Sequence, residues 1–388
     1  MKDANRMVIT VFTIDFLVNI IAWYIYVSLL YLTYLISANM IYFSIFYILR
    51  LITSTSISFI LSYIADIKGI DKVMKLTLLS FSIITIILAY YLRSTLFFIY
   101  VCLIIFETLL TLYGVLKYSL VPKITTDLEK INSAYELSYS ILMVVGPLVS
   151  LILLRNKILT LFIGLLPLVI SILFVNKLFT YSIQLQSSNL TSVIRNIFKN
   201  NKELIKIIIL YLLLSIIGSI INLTIINISE NLKINFNFIA NFSLINAVIG
   251  AGSLVSSIII MKNHYLNSSL ILLSWIILSF YPGIISMLYY FNFYFIFIYI
   301  FFIFSFFNGF FNSTISIFIA TKIQKISKEY TSTTFSILTL LSNILSIPML
   351  YIEGIFYKFI PFILMLSSLF LFVFIVVIIK IDIYSKES

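Results

Sequence analysis

Long apolar runs separated by brief charged breaks limit what this chain can fold into. The runs are about 20 residues long and do not alternate between apolar and polar residues, which is the length and pattern of helices that cross a bilayer. The chain of 388 residues is 62% hydrophobic and 10% charged, whereas a soluble domain carries about a quarter charged residues. Because backbone polar groups in lipid must be satisfied within the protein, we expect an all-α polytopic membrane protein.

The runs predict about twelve transmembrane helices with mostly short connections, so that consecutive helices are antiparallel neighbours. The predicted spans are 7–31, 39–63, 76–92, 95–118, 133–154, 158–175, 206–228, 238–260, 268–288, 293–319, 332–352 and 359–380. A long polar stretch, Asn176 to Lys206, lies between the sixth and the seventh. We therefore expect a six-helix bundle over residues 1–175, a cytoplasmic linker with a basic surface segment over 176–205, and a second six-helix bundle over 206–388.

The distribution of cations predicts which side faces the cytoplasm. Most of the 25 Lys and Arg residues fall in the segments on the side of the N-terminus. The opposite turns carry Arg93, Arg155, Lys157, Lys233 and Lys358. The positive-inside tendency then places both termini of this multi-pass protein in the cytoplasm, with the cell membrane as its location. The formal net charge of +11 follows from this topology and indicates no nucleic-acid partner.

Residues for metal or nucleotide chemistry are sparse. The single cysteine, Cys102, lies inside an apolar run, and the single histidine, His264, lies in a predicted loop without acidic residues at ligand spacing. These positions predict neither a metal site nor a disulfide framework. No stretch resembles GxxxxGK[ST], so ATP is not expected to be the direct energy source. We expect no cofactor and no enzymatic activity.

The two halves of the sequence resemble each other. With a shift of about 201 positions, Pro147 falls on Pro348, and the segment PKITTDLEK before the fifth span falls on IQKISKEYT before the eleventh. This correspondence predicts a parallel duplication of a six-helix unit.

The segment Ser62 to Lys75, SYIADIKGIDKVMK, is predicted to be a short polar loop after the second span. It resembles the signature that the major facilitator superfamily of secondary transporters carries at this place. In that signature a glycine and any three residues are followed by Asp-Arg, any residue, a second glycine and then basic residues. Asp66 and Gly69 match, and Lys72 supplies a nearby cation, whereas Ser62 replaces the first glycine. The resemblance implies a cytoplasmic gate in which the aspartate meets the amino end of helix 11, where polar residues favour a helix start. Its predicted members are Asp66, Gly69, Lys72, Ser332 and Thr333.

The run VPKITTDLEKINSAYELSYSILMVVGPLVS is similar to a narrower branch of that superfamily, the macrolide-efflux and siderophore exporters. The matching residues are Pro122, Asp127, Glu129, Asn132, Ala134, Gly146 and Pro147. Gly146 and Pro147 are then a candidate hinge in helix 5. They are alternatively ordinary residues of a membrane helix, in which proline is common.

Charged residues inside the spans are the candidates for chemistry, because they are costly in lipid unless paired or hydrated. Asp15 lies about 12 Å into its span, counted from the inner face of the membrane, and Glu107 lies about 18 Å into its span, counted from the outer face. In a hydrocarbon core of about 30 Å, these two positions are at nearly the same depth. The resembled fold implies that helices 1, 4, 7 and 10 line a central cavity. The predicted substrate and proton pathway is Asp15, Asn19, Glu107, Thr111, Asn222, Asn308 and Asn312.

The same carboxylates allow two interpretations. They are either proton carriers or anchors for a cationic substrate, or they are structural groups that hydrogen-bond a neighbouring helix. Arg50 is expected either to pair with an acid or to extend toward the membrane surface. Glu136 is expected to be a charge next to a loop.

These features predict a monomeric secondary active transporter that lies in the lipid bilayer. Its predicted partners are a small-molecule substrate and protons. Its expected activity is proton-coupled efflux of small amphipathic molecules by alternating access. An importer or an uncoupled facilitator of the same fold is the first alternative. An integral-membrane enzyme and a non-transporting membrane partner are the others.

Overall fold

The protein is helical throughout the part of the chain that the computed structural model describes. That part comprises residues 2–37, 39–68, 70–90, 95–155, 202–232, 238–263, 268–291, 295–327, 331–356 and 359–384. It contains eleven helices: α1 (Lys2–Ile36), α2 (Met40–Lys68), α3 (Ile70–Tyr90), α4 (Leu96–Ile124), α5 (Leu128–Arg155), α6 (Lys202–Asn231), α7 (Phe238–Asn263), α8 (Ser268–Tyr290), α9 (Phe295–Ile326), α10 (Thr331–Ile355) and α11 (Ile360–Tyr384).

Each described helix corresponds to one predicted span. Helices α6 to α11 are the predicted spans seven to twelve, because the sixth span, 158–175, lies outside the described residues. Most of the predicted linker lies outside them as well. The count of twelve and the division into two bundles with a linker therefore stay predictions.

Several helices extend beyond the apolar runs that predict them. Helix α4 continues to Ile124, and α9 continues to Ile326. A helix satisfies its own backbone hydrogen bonds, so it does not need to end where the lipid-facing residues end. Pro122 consequently lies in the last turn of α4 rather than in a loop. Glu136, expected next to a loop, lies eight residues into α5, about 12 Å from its start.

The predicted loop from Ser62 to Lys75 is also mostly helical. Helix α2 continues to Lys68 and α3 begins at Ile70. The backbone of these segments contains no proline that would stop a helix. Gly69 and the side chains of Asp66, Lys72 and Ser332 lie outside what the structure describes, whereas Thr333 is buried near the start of α10. The gate therefore stays a prediction.

The outer surface of the helices is apolar. Phe97, Phe362 and Phe370 are each more than 60% exposed, which is unfavourable in water and favourable against lipid. Within the described residues, seven segments are long and apolar enough to cross a membrane: Phe12–Ile36, Leu96–Tyr118, Ile205–Asn231, Phe238–Lys262, Ser269–Tyr290, Ile296–Ile326 and Thr333–Ile355. The chain is a multi-pass membrane protein.

The first half of the chain (α1–α5) meets the second half (α6–α11) mainly through two helix pairs. Helix α2 packs along α10, and α5 packs along α7. Within the halves, α1 packs on α5, α2 on α4, α9 on α7, and α8 on α11. The largest apolar core contains residues of both halves, such as Phe106 of α4 and Ile226 of α6. The space between the halves is therefore bounded by helices of both.

Candidate functional site

A cavity of about 460 Å³ lies between the two halves of the chain. Helices α1, α4, α6 and α9 line it, which are the first, fourth, seventh and tenth predicted spans, together with residues of α2, α5 and α7. Its aromatic lining consists of Trp23, Tyr26, Tyr113, Tyr118, Tyr135 and Tyr139. Four side-chain amides (Asn19, Asn222, Asn246 and Asn312) and the charged groups of Arg50, Lys117 and Glu136 complete its polar surface. Aromatic walls with a few polar groups are typical of small-molecule sites.

Asp15 lies behind this lining at the centre of a polar cluster. Its side chain is fully buried and accepts three hydrogen bonds, from Asn19 Nδ2 at 2.9 Å, Tyr113 Oη at 3.0 Å and Lys117 Nζ at 3.0 Å. The ammonium of Lys117 also lies 4.7 Å from the centre of the Tyr135 ring. The burial of this carboxylate is thus compensated by a cation and by two neutral donors.

Lys117 is a member of the cluster that sequence reasoning misses. Its place at the end of an apolar run predicts a cation of the following loop. The structure instead places it inside α4, with 12% of its side chain exposed toward the cavity. No local signal in the sequence connects it to Asp15, because the two residues are 102 positions apart.

Glu107 also lies behind the lining and is paired with Arg50. The distance from Arg50 Nε to Glu107 Oε1 is 2.5 Å, and the side chains are 25% and 6% exposed. The Arg50 guanidinium lies 4.7 Å from the centre of the Tyr26 ring and 5.5 Å from that of Tyr47. Of the two alternatives for Arg50, pairing with an acid is the one that the structure shows, and the reach toward the membrane surface is absent.

Glu136 faces the other half of the chain. Its Oε1 accepts a hydrogen bond of 2.5 Å from the hydroxyl of Ser316 on α9, and both residues line the cavity. The expectation of a charge next to a loop is wrong, because α5 begins eight residues earlier and carries Glu136 to the depth of the cavity. This contact joins the two halves at the cavity wall.

Of the remaining residues of the predicted pathway, some line the cavity and others do not. Asn222 and Asn312 line the cavity. Thr111 donates a hydrogen bond to the Glu107 carbonyl and lines a smaller neighbouring cavity of about 200 Å³. Asn308, one turn before Asn312, is not part of the lining. Their role in a substrate or proton pathway stays a prediction.

Polar contacts close the cavity toward the end of the bundle where α1 begins, the N-terminal end. The amide of Asn132 on α5 donates to Thr321 Oγ1 at 3.0 Å and to Gln324 Oε1 at 2.7 Å, both on α9. The Gln324 amide in turn donates to the carbonyl of Tyr118 at 3.0 Å. Tyr118 stacks on Phe335 of α10, with ring centres 5.0 Å apart. These contacts connect α4 and α5 of the first half to α9 and α10 of the second.

Mainly apolar contacts close the opposite end. The rings of Tyr34 on α1 and Phe238 on α7 are stacked, with centres 4.3 Å apart. The hydroxyl of Ser44 on α2 donates to the carbonyl of Leu350 on α10 at 3.0 Å. Contacts between the two halves are therefore present at both ends of the cavity.

The candidate hinge in α5 packs against α1. A Cβ added at Gly146 would lie 2.8 Å from Cγ of Trp23, so glycine is needed for the indole to approach the helix. Pro147 is buried inside α5. The packing explains Gly146, while a hinge motion stays a prediction.

The described residues contain no group of three or more His, Cys, Asp and Glu that could hold a metal ion. Cys102 is buried. The cavity therefore offers hydrogen bonds, aromatic faces and paired charges for binding a solute.

Comparisons by sequence find no relatives: no protein-family model and no curated protein matches. Comparisons by structure find transporters. The human organic anion transporter MFSD10 (TETRAN) aligns with a TM-score of 0.69 at 12% identity, over 95% of this chain and 98% of that one. A mutant form of the nucleoside transporter NupG aligns with a TM-score of 0.67 at 12% identity, over 95% and 99%. The chain shares the fold of these two transporters over 95% of its length.

Proposed function

We propose that the protein is a secondary active transporter that exports small amphipathic molecules by alternating access, driven by protons moving inward. The observation that carries the proposal is the cavity between the halves, with contacts between the halves at each of its ends. Alternate opening of the two ends would expose the same cavity to either side of the membrane. By this proposal the N-terminal end faces the cytoplasm.

The chemistry of the cavity supports a substrate with an aromatic ring and hydrogen-bonding groups. The six aromatic side chains offer stacking surfaces, and the four amides offer both donors and acceptors. Neither Asp15 nor Glu107 carries an uncompensated charge, because each is paired with a cation. This arrangement favours solutes that are neutral or zwitterionic over simple cations. MFSD10 and NupG are named for organic anions and nucleosides, and both classes belong in the first panel of compounds.

The Arg50–Glu107 pair supports a coupling mechanism. A proton added to Glu107 would remove the charge that holds Arg50, and the freed guanidinium at the cavity wall would then be available to polar groups of the solute. Asp15 and Lys117 form a second pair of the same kind. Proton binding and solute binding would then each change the affinity for the other.

A binding test follows from the two tryptophans of the chain. Trp23 lines the cavity, whereas Trp275 is buried in a separate apolar cluster of the second half. In the Trp275→Phe variant, Trp23 is the sole tryptophan, and a solute in the cavity should change its fluorescence in a saturable way. In the matched Trp23→Phe variant the same solute should leave the fluorescence of Trp275 unchanged. Equal responses of both variants would contradict binding in the cavity.

A transport test uses proteoliposomes with an imposed proton gradient and a pH-sensitive dye inside. The panel contains lipophilic cations, macrolide-like compounds, nucleosides and organic anions. Dissipation of the gradient by wild type and by Glu230→Gln, an exposed glutamate at the end of α6, but not by Glu107→Gln, would support coupling through Glu107. Dissipation by all three would remove Glu107 from the mechanism. Movement of a labelled solute without any proton flux would contradict coupled export and favour a facilitator.

A further inference from the structure

Another buried acid lies away from the cavity, at the opposite end of the bundle. Glu353 is two residues from the end of α10 and is 1% exposed. It is the one buried carboxylate of the described spans for which no cation is present: Asp15 is paired with Lys117, and Glu107 is paired with Arg50. Glu136 differs because it lines the cavity.

Few of the described groups face Glu353. From α6, the hydroxyl of Thr224 donates to Oε1 at 2.8 Å. The other oxygen, Oε2, is buried without a hydrogen-bond partner among the described residues. From α8, Tyr289 is the nearby titratable group, and its own proton is donated to Asn227 Oδ1 at 2.6 Å. From α2, the neutral side chain of Ser44 packs against the adjacent Gly354.

An ionised carboxylate is poorly accommodated in these surroundings. A buried charge without a counter-ion and with one unsatisfied oxygen is costly, and such a group takes up a proton instead. The carboxylic acid form needs less solvation, and its hydroxyl supplies a donor. The closed conformation therefore favours Glu353 with a proton bound.

The position of Glu353 links this proton to the closure of the opposite end. One helical turn before Glu353, the carbonyl of Leu350 accepts the hydrogen bond from Ser44 of the first half. One residue after it, Gly354 lies so close to Ser44 that an added Cβ would be 2.5 Å from the serine Cβ. Separation of α2 from α10 at this end would open the packing on both sides of Glu353 and admit water.

We propose that Glu353 is a proton-binding site whose protonation holds the opposite end of the bundle closed and whose deprotonation favours its opening. The site takes no ligand other than the proton. By linkage, each state of this end binds the proton with a different affinity, and a change of pH shifts the two populations. The use of this proton in transport rests on the proposed function, whereas the site itself does not.

The test measures protonation and opening separately on the full-length protein in lipid nanodiscs. Infrared difference spectra of wild type minus Glu353→Gln report the carboxylic acid band of this one residue as the pH is raised. Opening is followed by the distance between spin labels at Ile41→Cys on α2 and Ile352→Cys on α10, two exposed positions at the same end. Cys102→Ala removes the native cysteine from the background. Glu230→Gln is the matched control.

We expect the carboxylic acid band of Glu353 to disappear with rising pH and the label distance to lengthen over the same range. Glu353→Gln, which mimics the protonated form, should keep the short distance at every pH, and Glu230→Gln should titrate like wild type. A distance that titrates equally in Glu353→Gln, or the absence of the band at all pH values, would overturn the proposal. If the Glu353 band and the label distance titrate but no solute is transported, the proton site is upheld and the result counts against the proposed function. If a solute is transported but neither the Glu353 band nor the label distance titrates, the result counts against the proton site alone.

Discussion

Arg50 and Glu107 lie 57 positions apart in the sequence and meet in an ion pair at the wall of the central cavity. Arg50 reaches the cavity surface, with 25% of its side chain exposed, whereas Glu107 lies behind it at 6%. This difference in exposure decides how the pair responds to mutation, because an arginine that is left alone can be hydrated from the cavity and the glutamate cannot.

Arg50→Gln should therefore destabilise the protein more than Glu107→Gln. Loss of the cation leaves a buried carboxylate alone, which costs about 3–5 kcal/mol. The double variant should recover much of that loss. Thermal unfolding of the two single variants and the double variant forms a double-mutant cycle. Lys325→Gln is the control, because its pair with Glu129 is long, at 3.9 Å, and Lys325 is 54% exposed. Additive effects in the cycle would contradict a coupled pair.

The cluster around Asp15 predicts a graded series. Tyr113→Phe removes one hydrogen bond to a charged group and should cost about 1.5–3 kcal/mol. Lys117→Met removes the cation and should cost more, about 3–5 kcal/mol, since Asp15 is then buried with only neutral donors. Asp15→Asn combined with Lys117→Met should be milder than Lys117→Met alone. The fraction that remains monodisperse after heating, followed by size-exclusion chromatography, checks this order. The reverse order would contradict a stabilising pair between Asp15 and Lys117.

The contacts at the N-terminal end predict a variant that opens more readily there. Asn132→Leu removes the hydrogen bonds to Thr321 and Gln324. A loss of about 1.4 kcal/mol would raise the open population about tenfold. The readout is the rate at which a thiol reagent labels Ala22→Cys, a cavity position on α1, in the Cys102→Ala background. Glu129→Gln, whose pair with Lys325 is long, at 3.9 Å, should change the rate much less. An unchanged rate in Asn132→Leu would exclude Asn132 from the closure.

The crossing of α7 and α9 predicts sharply different effects of glycine substitutions. A Cβ at Gly309 would lie 1.8 Å from the carbonyl oxygen of Ile249, and one at Gly252 would lie 1.9 Å from that of Phe306. Because these are backbone atoms, the two helices must move apart, and either Gly→Ala change should lower the yield of folded protein severely. Gly218→Ala is the control, since nothing lies within 4 Å of its added Cβ. In a helix it should be neutral or stabilising by up to about 1 kcal/mol. Equal yields for Gly309→Ala and Gly218→Ala would argue against the close crossing.

Much of the fold could be predicted from the sequence because lipid permits few solutions. Apolar runs of about 20 residues must be helices in a bilayer, and each described helix coincides with a predicted span. The helix ends are predicted less accurately, as at Ile124 of α4 and around Gly69, because a helix continues through polar residues when nothing interrupts its hydrogen bonds. The sixth span, the linker, the orientation of the termini and the exporter branch stay predictions.

The sequence by itself determined that Asp15, Arg50 and Glu107 lie within the apolar runs, because a charged residue in such a run is visible without any structure. Which charges meet was decided by the tertiary structure alone. Arg50 pairs with Glu107, Lys117 with Asp15, and Glu136 meets Ser316 of the other half. Among the described residues, no cation pairs with Glu353. The cost of burying a charge depends on what lies within a few ångströms of it, and partners that are 57, 102 or 180 positions away in the chain leave no periodic pattern in the sequence. Only the packing of the helices brings them together.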